Sequence, residues 1–108
     1  MAKSLLLAWS SPTSPESQQE FDEWYDNTHV PQIREAVPAI TGATRYRLSD
    51  PEGTDTSRFL AVYEVDDADV SRAGSLLMDA VKAGRIDFTT TMDMTGNPPV
   101  MQWYIQHS

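Results

Sequence analysis

The chain has 108 residues, 40% of them hydrophobic and none of them cysteine. That length suits one domain spanning 1–108, and the lack of cysteine excludes disulfides, thiolate metal ligands and cysteine nucleophiles. The net charge of -8, from 16 acidic and 8 basic residues, repels phosphates and anionic lipids, so no nucleic acid and no membrane is expected as a partner.

Ser4 to Ser10 reads as a strand, ended by the turn cluster Ser10-Ser11-Pro12-Thr13-Ser14-Pro15. Its apolar run, Leu5 to Trp9, is far too short to cross a bilayer or to serve as the core of a signal peptide. A cytoplasmic protein is expected. A helix follows. Either Ser14 caps it with Pro15 in first position, or Ser17 and Glu20 form a capping box. Phe21, Trp24, Tyr25 and Thr28 share one helical face, and Glu16, Glu20, Glu23 and Asn27 share the wet one. Pro31 disfavours helical geometry at Val30, so the first segment is expected to end or kink there, with a further turn from Gln32 to Ala36.

Ile40 to Leu48 is the second strand, rich in Thr and Tyr. A polar turn from Ser49 to Asp55 leads to a third strand, Arg58 to Val65, making a loose hairpin. Asp66 or Asp67 is expected to cap a second helix carried by Val70, Ala73, Leu76, Leu77, Ala80 and Val81 and stopped at Gly84. Ile86 to Pro99 has no period and reads as an irregular loop. Val100 to His107 is the last strand. The order strand, helix, strand, strand, helix, strand defines an α+β, ferredoxin-like βαββαβ fold. It places two helices on one face of a four-stranded antiparallel sheet.

Leu5-Leu6-Leu7-Ala8-Trp9 and Phe59-Leu60-Ala61-Val62-Tyr63 do not alternate. Both faces of these strands are apolar and need burial. Two helices cover one face only. The expected cover for the other is a second copy, packed sheet to sheet as a homodimer.

The stretch Glu20-Phe21-x-x-Trp24-Tyr25-x-x-x-His29-Val30-Pro31 resembles the first-helix signature of the EthD-like dimeric α/β-barrel proteins. Arg45-Tyr46-Arg47-Leu48 and Phe59 to Val65 are similar to that family's second and third strands. The resemblance covers most of residues 4 to 82. It implies a dimeric α/β barrel with a pocket between each sheet and its helices. It does not fix a reaction, because that superfamily includes polyketide cyclases, cofactor-free monooxygenases, lactone isomerases and haem-handling proteins.

His29 is the one group in this stretch that titrates near neutrality unaided, and a helix C-terminus there would favour its cation. Tyr25 lies one turn earlier on a similar bearing. Such a pair is suited to polarising a carbonyl or moving a proton at an activated carbon. Asp26 is spaced to orient the imidazole. Phe21 reads as core and Trp24 as core or pocket floor. Arg45 shares a strand face with Arg47, and Tyr46 shares the other with Thr44. One arginine is suited to a carboxylate or an enolate oxygen, and at least one is expected instead at the surface, paired with the acidic helices. Tyr63 shares a face with Phe59 and Ala61, opposite Glu64. Trp103 and Tyr104 point oppositely, one to a pocket and one to the dimer interface. His107 is expected to be exposed.

No Gly-rich phosphate loop and no nucleophile elbow is present. Asp26 and His29 make only two of the three or four ligands that a metal needs. No cofactor and no metal is therefore expected. The leading expectation is an enzyme working by general acid/base chemistry on a small apolar carbonyl or polyketide-like aromatic compound, by cyclisation, isomerisation or dehydration. His29 would be the acid/base and Tyr25 the donor to the developing enolate, with Trp24, Arg45, Tyr46, Tyr63 and Trp103 binding substrate. The alternatives are a cofactor-free monooxygenase on a phenol, and a haem or small-metabolite binding protein with His29 as axial ligand.

Overall fold

A computed structural model describes residues 2–49 and 57–107. Four strands, β1 (Ser4–Ser10), β2 (Ile40–Arg47), β3 (Phe59–Val65) and β4 (Val100–Ile105), form one antiparallel sheet in the order β2-β3-β1-β4. Its helical face is covered by α1 (Gln18–Trp24), a π turn (Tyr25–His29), α2 (Val30–Ala36) and α3 (Val70–Lys82). This is the expected ferredoxin-like arrangement. Most of the polar turn between the second and third strands lies outside the described residues.

The strand pattern explains the core. Along β1, Ser4, Leu6, Ala8 and Ser10 are buried while Leu5, Leu7 and Trp9 are half-buried. Along β3, Phe59, Ala61, Tyr63 and Val65 are buried. The register pairs Leu6 with Tyr63 and Ala8 with Ala61 on the helical face. Phe21, Tyr25, Ile33, Ala73, Leu77 and Ala80 come down from the helices onto these residues to complete the core. Burial of each large apolar side chain in this layer contributes about 1.5–3 kcal/mol before entropy is counted.

The opposite face carries Leu5, Leu7, Trp9, Leu60 and Val62 at its centre, in register across β1 and β3. Tyr46 and Tyr104 flank them, 55% and 49% exposed. Among the described residues, the helices lie on the other face of the sheet. Glu64 lies here too and is exposed, beside Gly42, where the register of β2 shifts.

Two local expectations are corrected. Pro31 does not end the helix. The chain passes from α1 through the π turn into α2 without a break, and the Val30 N–H bonds back to Tyr25 C=O, five residues earlier. An α-helical bond here would crowd the proline ring against the preceding turn. One wider turn before the proline relieves that crowding and keeps the helix going. The second correction concerns the cap of α3. It is Asp69, whose side chain accepts from Arg72 N–H at 3.0 Å. Asp67 instead accepts from Asp69 N–H and grips the Arg72 guanidinium at 2.8–3.0 Å. At the first helix Ser14 is the cap, with Pro15 following. Gly84 stops α3 with φ of 73°, a conformation that suits glycine.

The segment after α3 is irregular, as its sequence suggests, but it is firmly tied down. Thr13 N–H donates to Thr91 C=O at 2.7 Å and Asp93 N–H to Ser11 C=O at 2.8 Å. The Asp93 carboxylate accepts from the backbone N–H groups of Thr95, Gly96 and Asn97. Arg58 donates to the carbonyls of Asn97 and Pro98. Among the described residues, no helix is long and apolar enough to cross a membrane.

Candidate functional site

The tied-down segment closes a cavity of about 610 Å³ between sheet and helices. Ala8 and Ser10 of β1 form its floor, and Met101 of β4 stands at its edge. Trp24, Tyr25, His29 and Ile33 form one wall, Leu77, Met78 and Val81 of α3 another. Ile86, Phe88, Thr89, Met92, Met94 and Pro99 supply the rest. The lining is overwhelmingly apolar, and among the described residues His29 is the only ionisable group in it besides the Tyr25 phenol. A second depression, on the outer side of the first helix, is lined by Gln18, Asp22, Glu23 and Asp26. It is an open groove on the acidic face of that helix.

His29 stacks on Trp24, ring centres 4.5 Å apart and planes 24° apart. Tyr25 meets the imidazole edge-on at 4.9 Å. The π turn brings this about, because it places Tyr25 and His29 at its two ends. His29 Nδ1 is sealed from solvent without a protein partner. Burial lowers the His29 pKa from 6.5 to about 4, and the Arg45 charge adds to that. The cation expected at a helix end is therefore corrected to a neutral imidazole: the helix does not end there, and the ring is half-buried with its Nδ1 sealed from solvent.

Tyr25 is 2% exposed. Its hydroxyl points to the hydroxyls of Ser10 and Tyr63, and burial raises its pKa. Ser10 Oγ and Tyr63 Oη still lack a partner of good hydrogen-bond geometry. The three hydroxyls thus cluster without a well-formed hydrogen bond to Ser10 Oγ or Tyr63 Oη. Burial, and then the neighbouring Tyr25, push the Tyr63 phenol far above its ordinary value.

Arg45 lies behind this layer. Its guanidinium is 4.4 Å from the centre of the Tyr25 ring and 5.0 Å from that of Phe59. It donates to Asp22 at 3.0 Å and Asp26 at 3.4 Å. Arg45 is thus the arginine that pairs with the acidic helix, as expected of at least one of the two, and its expected substrate-binding role is corrected because it does not line the cavity. Asp26 is engaged by Arg45 and does not orient His29.

Of the expected substrate-binding residues, Trp24 lines the cavity with His29 and Tyr25. Tyr63 shares their layer but sits behind Tyr25, outside the lining. Tyr46 is on the opposite face of the sheet, because residues alternate along β2 and Arg45 takes the helical side. Trp103 is on the helical face but packs under α3, near Gly74. Tyr104 takes the other face. Ser10, Ile33 and the methionines were not singled out by the sequence. The alternation of β1 does place Ser10 with Leu6 and Ala8, but an aperiodic segment gives no such guide to Met92 and Met94. Among the described residues no group of three His, Asp or Glu side chains could hold a metal.

The architecture is a ferredoxin-like sheet covered by helices on one face, and solved structures share this fold. A dimeric ferredoxin-like protein from an uncultured marine organism matches with a TM-score of 0.60 and 13% identity, over 98% of this chain and 96% of that one. A Streptomyces coelicolor monooxygenase in complex with the ligand nanaomycin D matches at 0.59 and 14%, over 99% and 89%. An ethyl tert-butyl ether D (EthD) family protein from Bacillus halodurans C-125 matches at 0.54 and 21%, over 96% and 99%. The chain therefore has the fold of EthD-like and dimeric ferredoxin-like proteins, in line with the resemblance of its first-helix signature. No protein-family model and no curated protein matches it.

Proposed function

We propose that this protein is an enzyme that binds a small, largely apolar carbonyl or polyketide-like aromatic compound and moves a proton with His29, without a cofactor. The observation that carries the reading is a neutral His29 as the acid/base group of an otherwise apolar cavity. A half-buried imidazole of low pKa is unprotonated at neutral pH and able to accept. As negative charge develops on a ligand oxygen beside it, the imidazolium form gains stability, so its basicity rises while the proton moves. Trp24 stacks on the ring and Tyr25 abuts its edge, so both hold it in place. Tyr25 is a positioning residue in this scheme, since its hydroxyl is turned towards Ser10 and Tyr63. Cyclisation, isomerisation and dehydration all need such a proton transfer.

A second reading, oxygenation of a phenolic substrate, is favoured by the likeness to the monooxygenase bound to nanaomycin D. Oxygen uptake with a hydroxynaphthoquinone separates the two. His29→Ala is expected to abolish turnover with the fold retained, and unchanged turnover would sink the mechanism.

The same reading includes a homodimer. Leu5, Leu7, Trp9, Leu60 and Val62 form a continuous apolar strip on the uncovered face, and a second copy packed on it would remove that strip from water. The dimeric ferredoxin-like proteins of the same fold support this.

A further inference from the structure

The chain has five methionines, and the four beyond Met1 all line the His29 cavity. They arrive from three places: Met78 from α3, Met92 and Met94 from the tied segment, and Met101 from β4. Three of them form an open rim, Met78 being 48% exposed, Met94 61% and Met101 50%. Met92 is half-buried against the core. Leucine would keep such walls equally apolar. What the thioether adds is a deformable, polarisable surface that oxidants can reach. With no cysteine in the chain, no thiol of the protein competes for the oxidant.

We propose that the rim of this cavity is a reversible methionine-oxidation site, at which peroxide shuts off the uptake of apolar ligands. The proposal rests on the reading that the cavity takes such ligands. In the step, a thioether sulfur gives an electron pair to one oxygen of hydrogen peroxide. The O–O bond breaks, the S–O bond forms, and the second oxygen leaves as water after proton transfer. Sulfur is oxidised and peroxide reduced. Each sulfoxide sets a strongly polar acceptor where an apolar ligand must enter, and such a group resists losing its water. The position of Asp93 sharpens the effect. Its carboxylate accepts from the backbone N–H groups of Thr95, Gly96 and Asn97 and so fixes the turn from Asp93 to Asn97, which carries Met94 at the mouth.

The test uses the full chain and a neutral fluorescent probe, N-phenyl-1-naphthylamine. Protein is exposed to hydrogen peroxide, quenched and mapped residue by residue by mass spectrometry. Probe affinity and the circular-dichroism melt are measured before treatment, after it, and after incubation with the two methionine sulfoxide reductases. The expected result is one added oxygen at each of Met78, Met94 and Met101, a tenfold or greater loss of probe affinity with the fold retained, and recovery on reduction. A chain carrying Met78→Leu, Met94→Leu and Met101→Leu is judged against its own untreated affinity, which peroxide is expected to change less than twofold. Rim sulfoxides with unchanged affinity in the parent chain would overturn the proposal. So would rim methionines left intact under a dose that consumes N-acetylmethionine amide, or a triple variant as sensitive as the parent. Failure of the untreated protein to bind any probe would instead overturn the ligand-cavity reading itself, and this proposal with it.

Discussion

The Arg45 guanidinium lies 4.4 Å from the centre of the Tyr25 ring, and Tyr25 in turn meets His29 edge-on. One cation thus ties the sheet to the helix and acts on the imidazole from behind. Arg45→Met removes the bonds to Asp22 and Asp26 and the contacts with three aromatic rings. The expected loss is about 1–3 kcal/mol in urea denaturation. The variant should also titrate His29 at higher pH than the parent by NMR, yet still below the ordinary 6.5, because burial is the larger cause of its shift. An unmoved His29 titration would remove Arg45 from the account.

His29 also sets a pH dependence of folding. Its folded pKa of about 4 lies below its ordinary value of 6.5, so as pH falls the unfolded chain takes up the proton first. Stability should be full at neutral pH, decline from about pH 6.5 to about pH 4, and level off below. The whole effect is on the order of 3 kcal/mol. Asp67 and Asp93, whose carboxyls are held below their ordinary range mainly by backbone N–H groups, act below this window. Denaturation at pH 7, 5.5 and 4.5 checks it, and His29→Gln should flatten the curve.

Gly74 is in the middle of α3, and a Cβ there would meet Trp103 at 3.9 Å, an ordinary contact. Gly74→Ala should therefore stabilise the protein by about 0.5–1 kcal/mol through lower backbone entropy in the unfolded chain. A lower melting temperature would mean that α3 and Trp103 pack more tightly than this geometry shows.

Val62 is central on the uncovered face, opposite Leu7. Val62→Asp would bury a charge in a sheet-to-sheet interface and should give monomers of 12.1 kDa where the parent gives twice that mass, measured by light scattering. A monomeric parent would contradict the dimer.

Much of this was readable in the chain. The apolar-both-sides strands gave the sheet and its uncovered face, and the alternation of β2 separated Arg45 from Tyr46. The π turn was not readable, because a proline after His29 signals a break equally well whether the helix stops or widens. That one strand arginine would pair with the acidic helices was readable, but not that it would be Arg45 or which carboxylates it would meet: Asp22 and Asp26 are about twenty residues away in the chain. The cavity's outer wall was least visible. Met92 and Met94 gain their positions from Asp93, Ser11 and Thr13, a set of turn and backbone bonds with no periodic trace.

The central claim is that His29 moves a proton on an apolar carbonyl compound. Exchange of the α-protons of 1-tetralone in deuterated buffer, followed by NMR, tests it most directly. The parent protein should accelerate the exchange, and His29→Ala, folded by circular dichroism, should lose on the order of a hundredfold or more of that acceleration. Equal exchange with parent and variant would contradict the account.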